Sequence, residues 1–270
     1  MNPVGIMQGR LSHRQGQPAQ SFPWMSWREE FAQARACGFD RIEWLVTAER
    51  LDDNPIWTDE GVREIRRQIT ATGVTVTSVC ADCFIRRPLV GVSNDERHAN
   101  EAVLERLVAR CGQIGIEVVL IPLLEGGAIR DPDEGLTVLS SLGRALAMAE
   151  ASSIQLGLES DMPGPTLRKL IDDSGSPALG AYYDVGNAAS GGQDVAADIH
   201  ALAPVLCGVH IKDRKRDGRS MALGDGDVDF GAFIRALNAV GYSGPLILET
   251  PCGSDPLDSA RKNRAFISRA

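Results

Sequence analysis

The 270-residue chain is predicted to be a single-domain α/β protein over residues 1–270, a (β/α)8 TIM barrel. Three observations predict it. Eight short apolar runs alternate with longer stretches of helical periodicity. The length suits such a barrel, which takes about 250 residues. The first run is followed by Gln8-Gly9-Arg10, not by the G-x-G-x-x-G turn expected of a doubly wound sheet, the alternative architecture.

The eight runs are Val4–Met7, Arg41–Leu45, Val74–Cys80, Glu117–Leu123, Ile154–Glu159, Leu179–Asp184, Cys207–Lys212 and Pro245–Thr250. Strand–helix alternation implies parallel strands, because each right-handed crossover returns the chain to the same edge. Between the runs, Ser93-x-x-Glu96 is a capping box that satisfies the first free backbone N–H groups of a helix. Val103, Leu104, Leu107, Val108, Cys111 and Ile114 follow it as one apolar stripe. Phe230, Phe233, Ile234, Leu237 and Val240 form a second stripe that stops at Gly241. Gly38, Gly73, Gly115 and Gly241 stand shortly before strands, as αβ turns require. No low-complexity tract or Gly/Ser linker marks a domain boundary.

The formal net charge of −8 argues against general nucleic-acid binding, since an acidic surface repels phosphate backbones. A local basic pocket could still take one small anion. No run of about 18 apolar residues suggests a membrane span. The segment MNPVGIMQGRL lacks a basic region followed by an apolar one, so a cytoplasmic location is expected. Cys37, Cys80, Cys83, Cys111, Cys207 and Cys252 are expected to be free thiols. Cys80 and Cys83 form a C-x-x-C with no second Cys/His pair at matching spacing, so neither a zinc site nor a redox pair is expected.

Barrel active sites lie at the C-terminal ends of the strands. Four consecutive runs place acidic or imidazole groups there: LGLE at Glu159, YYD at Asp184, GVHIK at His210 and LILE at Glu249. Taken singly, each could be a loop-facing or capping group. Three converging carboxylates, however, repel one another unless a cation compensates. One divalent ion held by Glu159, Asp184, His210 and Glu249 resolves the conflict, and the donor set suits Mn²⁺, Mg²⁺, Co²⁺ or Zn²⁺.

IMQGRLS, GFDRIEW, LGLES, YYDVGNA, GVHIKDR, LGDGDVDF and GYSGPLILET resemble the sugar phosphate isomerase/epimerase family, within the xylose isomerase-like barrel superfamily. The resemblance spans nearly the whole chain. It implies the same four metal ligands, and it is strongest to the ketose 3-epimerases, especially those acting on phosphorylated pentuloses. Tagatose-type 3-epimerases carry a His near the position of Asn187, and a further Glu where this chain reads Ser160-Asp161-Met162-Pro163-Gly164-Pro165. Both departures lead away from a free-sugar enzyme.

The implied chemistry is a metal-stabilised cis-enediolate, formed by removing the proton next to a carbonyl. Glu159 and Glu249 are the expected acid/base pair. Epimerisation and aldose–ketose isomerisation use the same parts. Expected substrate contacts are Glu43 at the end of the second strand, Asn187, and Lys212 and Arg216 from the basic loop Lys212–Arg219. Barrels often bind phosphate near this loop. The small-molecule partner is therefore a sugar or sugar phosphate, and the sequence leaves a homo-oligomer open.

Two other functions use the same barrel: an inosose-type dehydratase on the same metal site, and a non-catalytic sugar-binding barrel. Retention of both Glu159 and Glu249 argues against the second. An endonuclease IV-like site needs many histidines. Only four are present, and His13, His98 and His200 lie away from strand ends.

Overall fold

The computed structural model describes residues 2–13, 16 and 20–269. Met1 and Ala270, the ends of the expected domain, lie outside the described residues. The strands are β1 (Val4–Met7), β2 (Arg41–Leu45), β3 (Thr75–Cys80), β4 (Val118–Leu123), β5 (Gln155–Ser160), β6 (Leu179–Asp184), β7 (Leu206–Ile211), β8 (Asp213–Arg214), β9 (Ser220–Met221) and β10 (Leu246–Leu248). Eight of them close into a barrel in the order β1-β10-β7-β6-β5-β4-β3-β2, and β8 and β9 form a separate antiparallel pair. Closure comes from parallel pairing of β1 with β10, Gly5 opposite Ile247. The expected (β/α)8 barrel is the fold observed, and each expected strand has a counterpart in it.

The helices are α1 (Glu29–Ala36), α2 (Asp59–Thr72), α3 (Cys83–Arg86), α4 (Asn94–Ile114), α5 (Pro132–Ser152), α6 (Gly164–Asp173), α7 (Val185–Ser190), α8 (Val195–Leu202), α9 (Phe230–Ala239) and α10 (Pro256–Ile267). The capping box starts α4: Ser93 Oγ accepts from the Glu96 N–H, and Glu96 Oε2 accepts from the Ser93 N–H. Leu104, Leu107, Val108 and Cys111 of α4 are buried, and so are Phe230, Phe233 and Leu237 of α9. Burying each such side chain stabilises the fold by about 1.5–3 kcal/mol. This outer core holds the helices against the barrel and frees the barrel interior for polar groups.

Strand ends differ from the sequence expectation by one or two residues. The run ending at Thr250 is strand only to Leu248, yet the Glu249 N–H still donates to the Ile211 carbonyl. Glu249 therefore stays in register beside β7. No helix among the described residues is long and apolar enough to cross a membrane. All six cysteine thiols are free, and five of them are buried.

Candidate active site

The parallel registers bring the strand-end groups together. Asp184 lies opposite His210 across β6 and β7, and His210 opposite Ile247 of β10. Pro122 of β4 lies opposite Glu159 of β5. Glu159, Asp184, His210 and Glu249 thus form an arc on four neighbouring strands, with the two glutamates at its ends. All four are buried.

One ligand atom each from Glu159, Asp184 and His210 falls within 4.8 Å of the other two. Two of these groups show what the arrangement can hold. Asp184 Oδ2 and His210 Nδ1 are buried and lie 3.9 Å apart. A divalent ion takes nitrogen and oxygen ligands at about 2.0–2.2 Å, so a small inward shift lets both atoms share one ion. Glu249 falls outside this triad of ligand atoms. Its Oε2 is nevertheless 3.0 Å from His210 Nδ1.

The Lys212 ammonium bridges Asp184 Oδ2 at 2.9 Å and Glu249 Oε2 at 3.0 Å. It supplies positive charge to the cluster. Burial disfavours an ionised Glu249, but Lys212 and His210 outweigh it and hold that carboxyl well below the usual carboxylate range. Glu159, at the other end of the arc, is pushed up from 4.5 to about 8 by burial and by the Asp184 charge. Burial also opposes protonation of His210, but Glu43 and Glu249 outweigh it and raise the pKa.

Both glutamates are anchored by neighbouring side chains. Asn187 Nδ2 donates to Glu159 Oε1 at 2.8 Å, and Asn187 Oδ1 accepts from Arg214 Nη1 at 2.7 Å. The Asn187 N–H caps Asp184 Oδ1 at 2.8 Å. The close turn that sets Asn187 there needs Gly186, because a Cβ would fall 2.8 Å from the Lys212 carbonyl oxygen. Across the arc, Gln20 Nε2 donates to Glu249 Oε1 at 3.1 Å, and Arg10 Nη2 lies 3.5 Å from the same oxygen. Arg10 also donates to Gln20 Oε1.

Glu43 departs from the expected position. It lies below the rim and is fully buried, with Oε1 receiving His210 Nε2 at 2.5 Å and Oε2 receiving the Tyr182 hydroxyl at 2.6 Å. The reason is strand length: β2 runs two residues past Glu43, to Leu45. Both oxygens are engaged by protein groups, one by the His210 ring and one by the Tyr182 hydroxyl. Tyr182 reaches Glu43 because Gly208 leaves room for its ring, where a Cβ would sit 2.3 Å from Tyr182 Cε2.

The other expected substrate contacts separate. Asn187 and Lys212 join the cluster, but each is already bonded to it. Arg216 is exposed beyond β8, and its backbone N–H donates to Asp227 Oδ2 at 2.8 Å. Sequence reasoning missed Arg10, Gln20, Tyr182, Asp82, Arg214 and Asp213. Asp213 organises the LGDGDVDF segment, accepting from the N–H groups of Gly224, Gly226 and Val228 at 2.9, 2.8 and 3.2 Å. That motif is therefore the anchor of a rim loop. Tyr182 had a legible signal, since period-two alternation puts it on the face of Asp184.

Known proteins share this architecture. The L-ribulose-5-phosphate 3-epimerase UlaE of Escherichia coli, an isomerase-class enzyme, is 26% identical over 253 residues, covering 89% of this chain and 88% of that protein. The solved 3-keto-D-glucoside 4-epimerase YcjR of E. coli superposes with a TM-score of 0.76 at 19% identity, covering all of both chains. D-allulose 3-epimerase from a Methylomonas species, solved with D-allulose, gives 0.78 at 17% identity, covering 99% of this chain and 96% of that one. At such identities the structural likeness is one of fold. The family model described as xylose isomerase-like TIM barrel matches residues 31–270, and the chain belongs to that family.

Proposed function

We propose that this protein is a divalent-metal-dependent ketose 3-epimerase acting on a pentulose or its phosphate. The observation that carries the reading is the arc itself: one ligand atom each from Glu159, Asp184 and His210 lies within 4.8 Å of the other two, with Glu249 buried beside them. The similarity to an L-ribulose-5-phosphate 3-epimerase across most of both chains supports the substrate class.

Glu159, Asp184, His210 and Glu249 would hold the ion. When bound, it supplies positive charge to the substrate's carbonyl and neighbouring hydroxyl oxygens, making the adjacent carbon more acidic. The protein's own groups do the rest. Glu159 and Glu249 approach from the two ends of the arc, each held by neighbouring side chains, so one can take a proton from one face while the other returns it to the opposite face. Asn187 and Arg214 orient the first glutamate, Gln20 and Arg10 the second. The exposed Arg216 guanidinium makes no hydrogen bond or ion pair with the described residues, which leaves it available to a phosphate.

The test is metal analysis followed by turnover. The dialysed protein should retain or rebind about one divalent ion per chain. The loaded protein should interconvert a pentulose or pentulose phosphate with its C3 epimer. A folded protein that binds no metal, or a loaded one inert on both substrate types, contradicts the reading.

A further inference from the structure

The metal-ligand arc occupies β5, β6, β7 and β10, which is half the barrel. Directly across the mouth stands β3, four strands from β7 in either direction around the barrel. The chain leaves β3 through Ala81, whose N–H still pairs with the Leu120 carbonyl, and then presents Asp82. Ala81 is fully buried, and Asp82 follows it in helical conformation, φ −53° and ψ −25°, as the chain turns into α3.

Asp82 occupies the N-cap position of α3, where an aspartate normally accepts from the first free N–H groups. Here its side chain caps nothing. Among the described residues it has no hydrogen-bond donor and no ion pair. Its electrostatic neighbours are Glu249 and Arg10, which reach the rim from β10 and β1, together with Glu125 and Arg86. Burial, then the Glu249 charge, pushes its carboxyl up from 3.8 to about 6. A half-buried carboxyl with no partner in the protein has given up part of its hydration, and nothing in the protein replaces it.

We propose that Asp82 is a substrate-contacting, specificity-determining residue whose carboxylate accepts hydroxyl hydrogen bonds from the part of a polyol ketose that projects away from the metal-ligand arc. The inference rests on the ketose reading above and deepens it. Hydroxyl donors would satisfy both carboxylate oxygens. Asp82 and Glu125 put carboxyl acceptors on this side, with Arg10 and Arg86 near them. The two sides of the mouth thus differ chemically: hydroxyl acceptors at β3, an exposed arginine beyond β7.

The test compares wild type, Asp82→Asn and Asp82→Ala, all metal-loaded, by calorimetric titration with L-ribulose and with L-ribulose 5-phosphate, alongside metal content and turnover. Asn keeps the size and one acceptor, so it holds the measurement if the Ala variant fails to fold. Metal content should be unchanged. The Kd for L-ribulose should rise about 10- to 100-fold in Asp82→Ala and by less in Asp82→Asn, the size of a lost charge-assisted hydrogen bond. An unchanged Kd in both variants at full metal content overturns the proposal. If wild type binds a ketose but does not epimerise it, the epimerase reading fails while the Kd comparison still decides the role of Asp82. If wild type binds neither sugar, both fail.

Discussion

Glu43 holds His210 from beneath: its Oε1 lies 2.5 Å from His210 Nε2, while His210 Nδ1 faces the carboxylates above. A histidine engaged through one ring nitrogen presents the other in a fixed direction, the usual support for a metal-binding imidazole. Tyr182 completes the arrangement by donating to the second Glu43 oxygen and packing its ring 4.7 Å from the imidazole, edge to face. Three buried side chains from β2, β6 and β7 thus aim one nitrogen.

Glu43→Gln should weaken metal binding about 10- to 100-fold, the usual effect of losing such support, while the protein stays folded. Competition with a chromophoric chelator measures it. Wild-type affinity in this variant would remove Glu43 from the account.

Gly226→Ala should destabilise the loop between β9 and α9. The added Cβ would fall 1.8 Å from Asp213 Oδ1, displacing an N–H that the buried Asp213 carboxylate uses. The expected cost is about 1–3 kcal/mol, from overpacking and a weakened hydrogen bond. Denaturant unfolding reads it. Gly231, where an added Cβ would come no nearer than 3.2 Å, to the flexible end of Arg235, serves as the control site.

The barrel was legible because strand periodicity, capping and turn glycines all point the same way. Ser93 and Glu96 illustrate this, a local signal read directly as the start of α4. The arc was legible because Glu159, Asp184, His210 and Glu249 each end an apolar run. What surrounds the arc was not. Glu43 reads as a rim residue, because its pairing with His210, 167 residues away, is encoded by no local pattern. Gln20 and Arg10 meet Glu249 across about 230 residues of sequence, a contact that no local pattern encodes. The basic loop reads as one phosphate cradle, but the structure divides it. Lys215 pairs with Asp227 and Arg219 with Asp217, while Arg214 turns inward to Asn187.

Glu30 should make stability depend on pH. It is fully buried, and Gly9 N–H and Ser12 Oγ donate to it at 2.9 and 2.7 Å, fixing the loop that carries Arg10. Burial outweighs these bonds and pushes its carboxyl up from 4.5 to about 7. The unfolded chain therefore releases this proton first. The contribution of Glu30 to stability is greatest below pH 4.5 and declines as pH rises to about 7. Glu30→Gln should gain on wild type between pH 5 and pH 8 by up to about 3 kcal/mol. Urea unfolding at the two pH values checks this, and a difference that does not change with pH would contradict it.

Arg216→Ala should raise KM for L-ribulose 5-phosphate by about tenfold or more, the loss of a charge-assisted hydrogen bond, and leave KM for L-ribulose nearly unchanged. Steady-state kinetics on the two substrates separates a phosphate contact from a general loop effect. Equal shifts on both would assign Arg216 to the loop alone.

An arc that removes and returns the proton at C3 of a ketose must open that carbon to exchange with solvent. The most direct measurement is proton NMR of L-ribulose 5-phosphate incubated with metal-loaded protein in deuterated water. The expected result is loss of the C3 proton signal together with formation of the C3 epimer, both suppressed on chelation and both reduced about 10²–10⁴-fold in Glu159→Gln and Glu249→Gln variants that retain metal. Exchange confined to C1, or metal-retaining variants that exchange C3 at the wild-type rate, would contradict it.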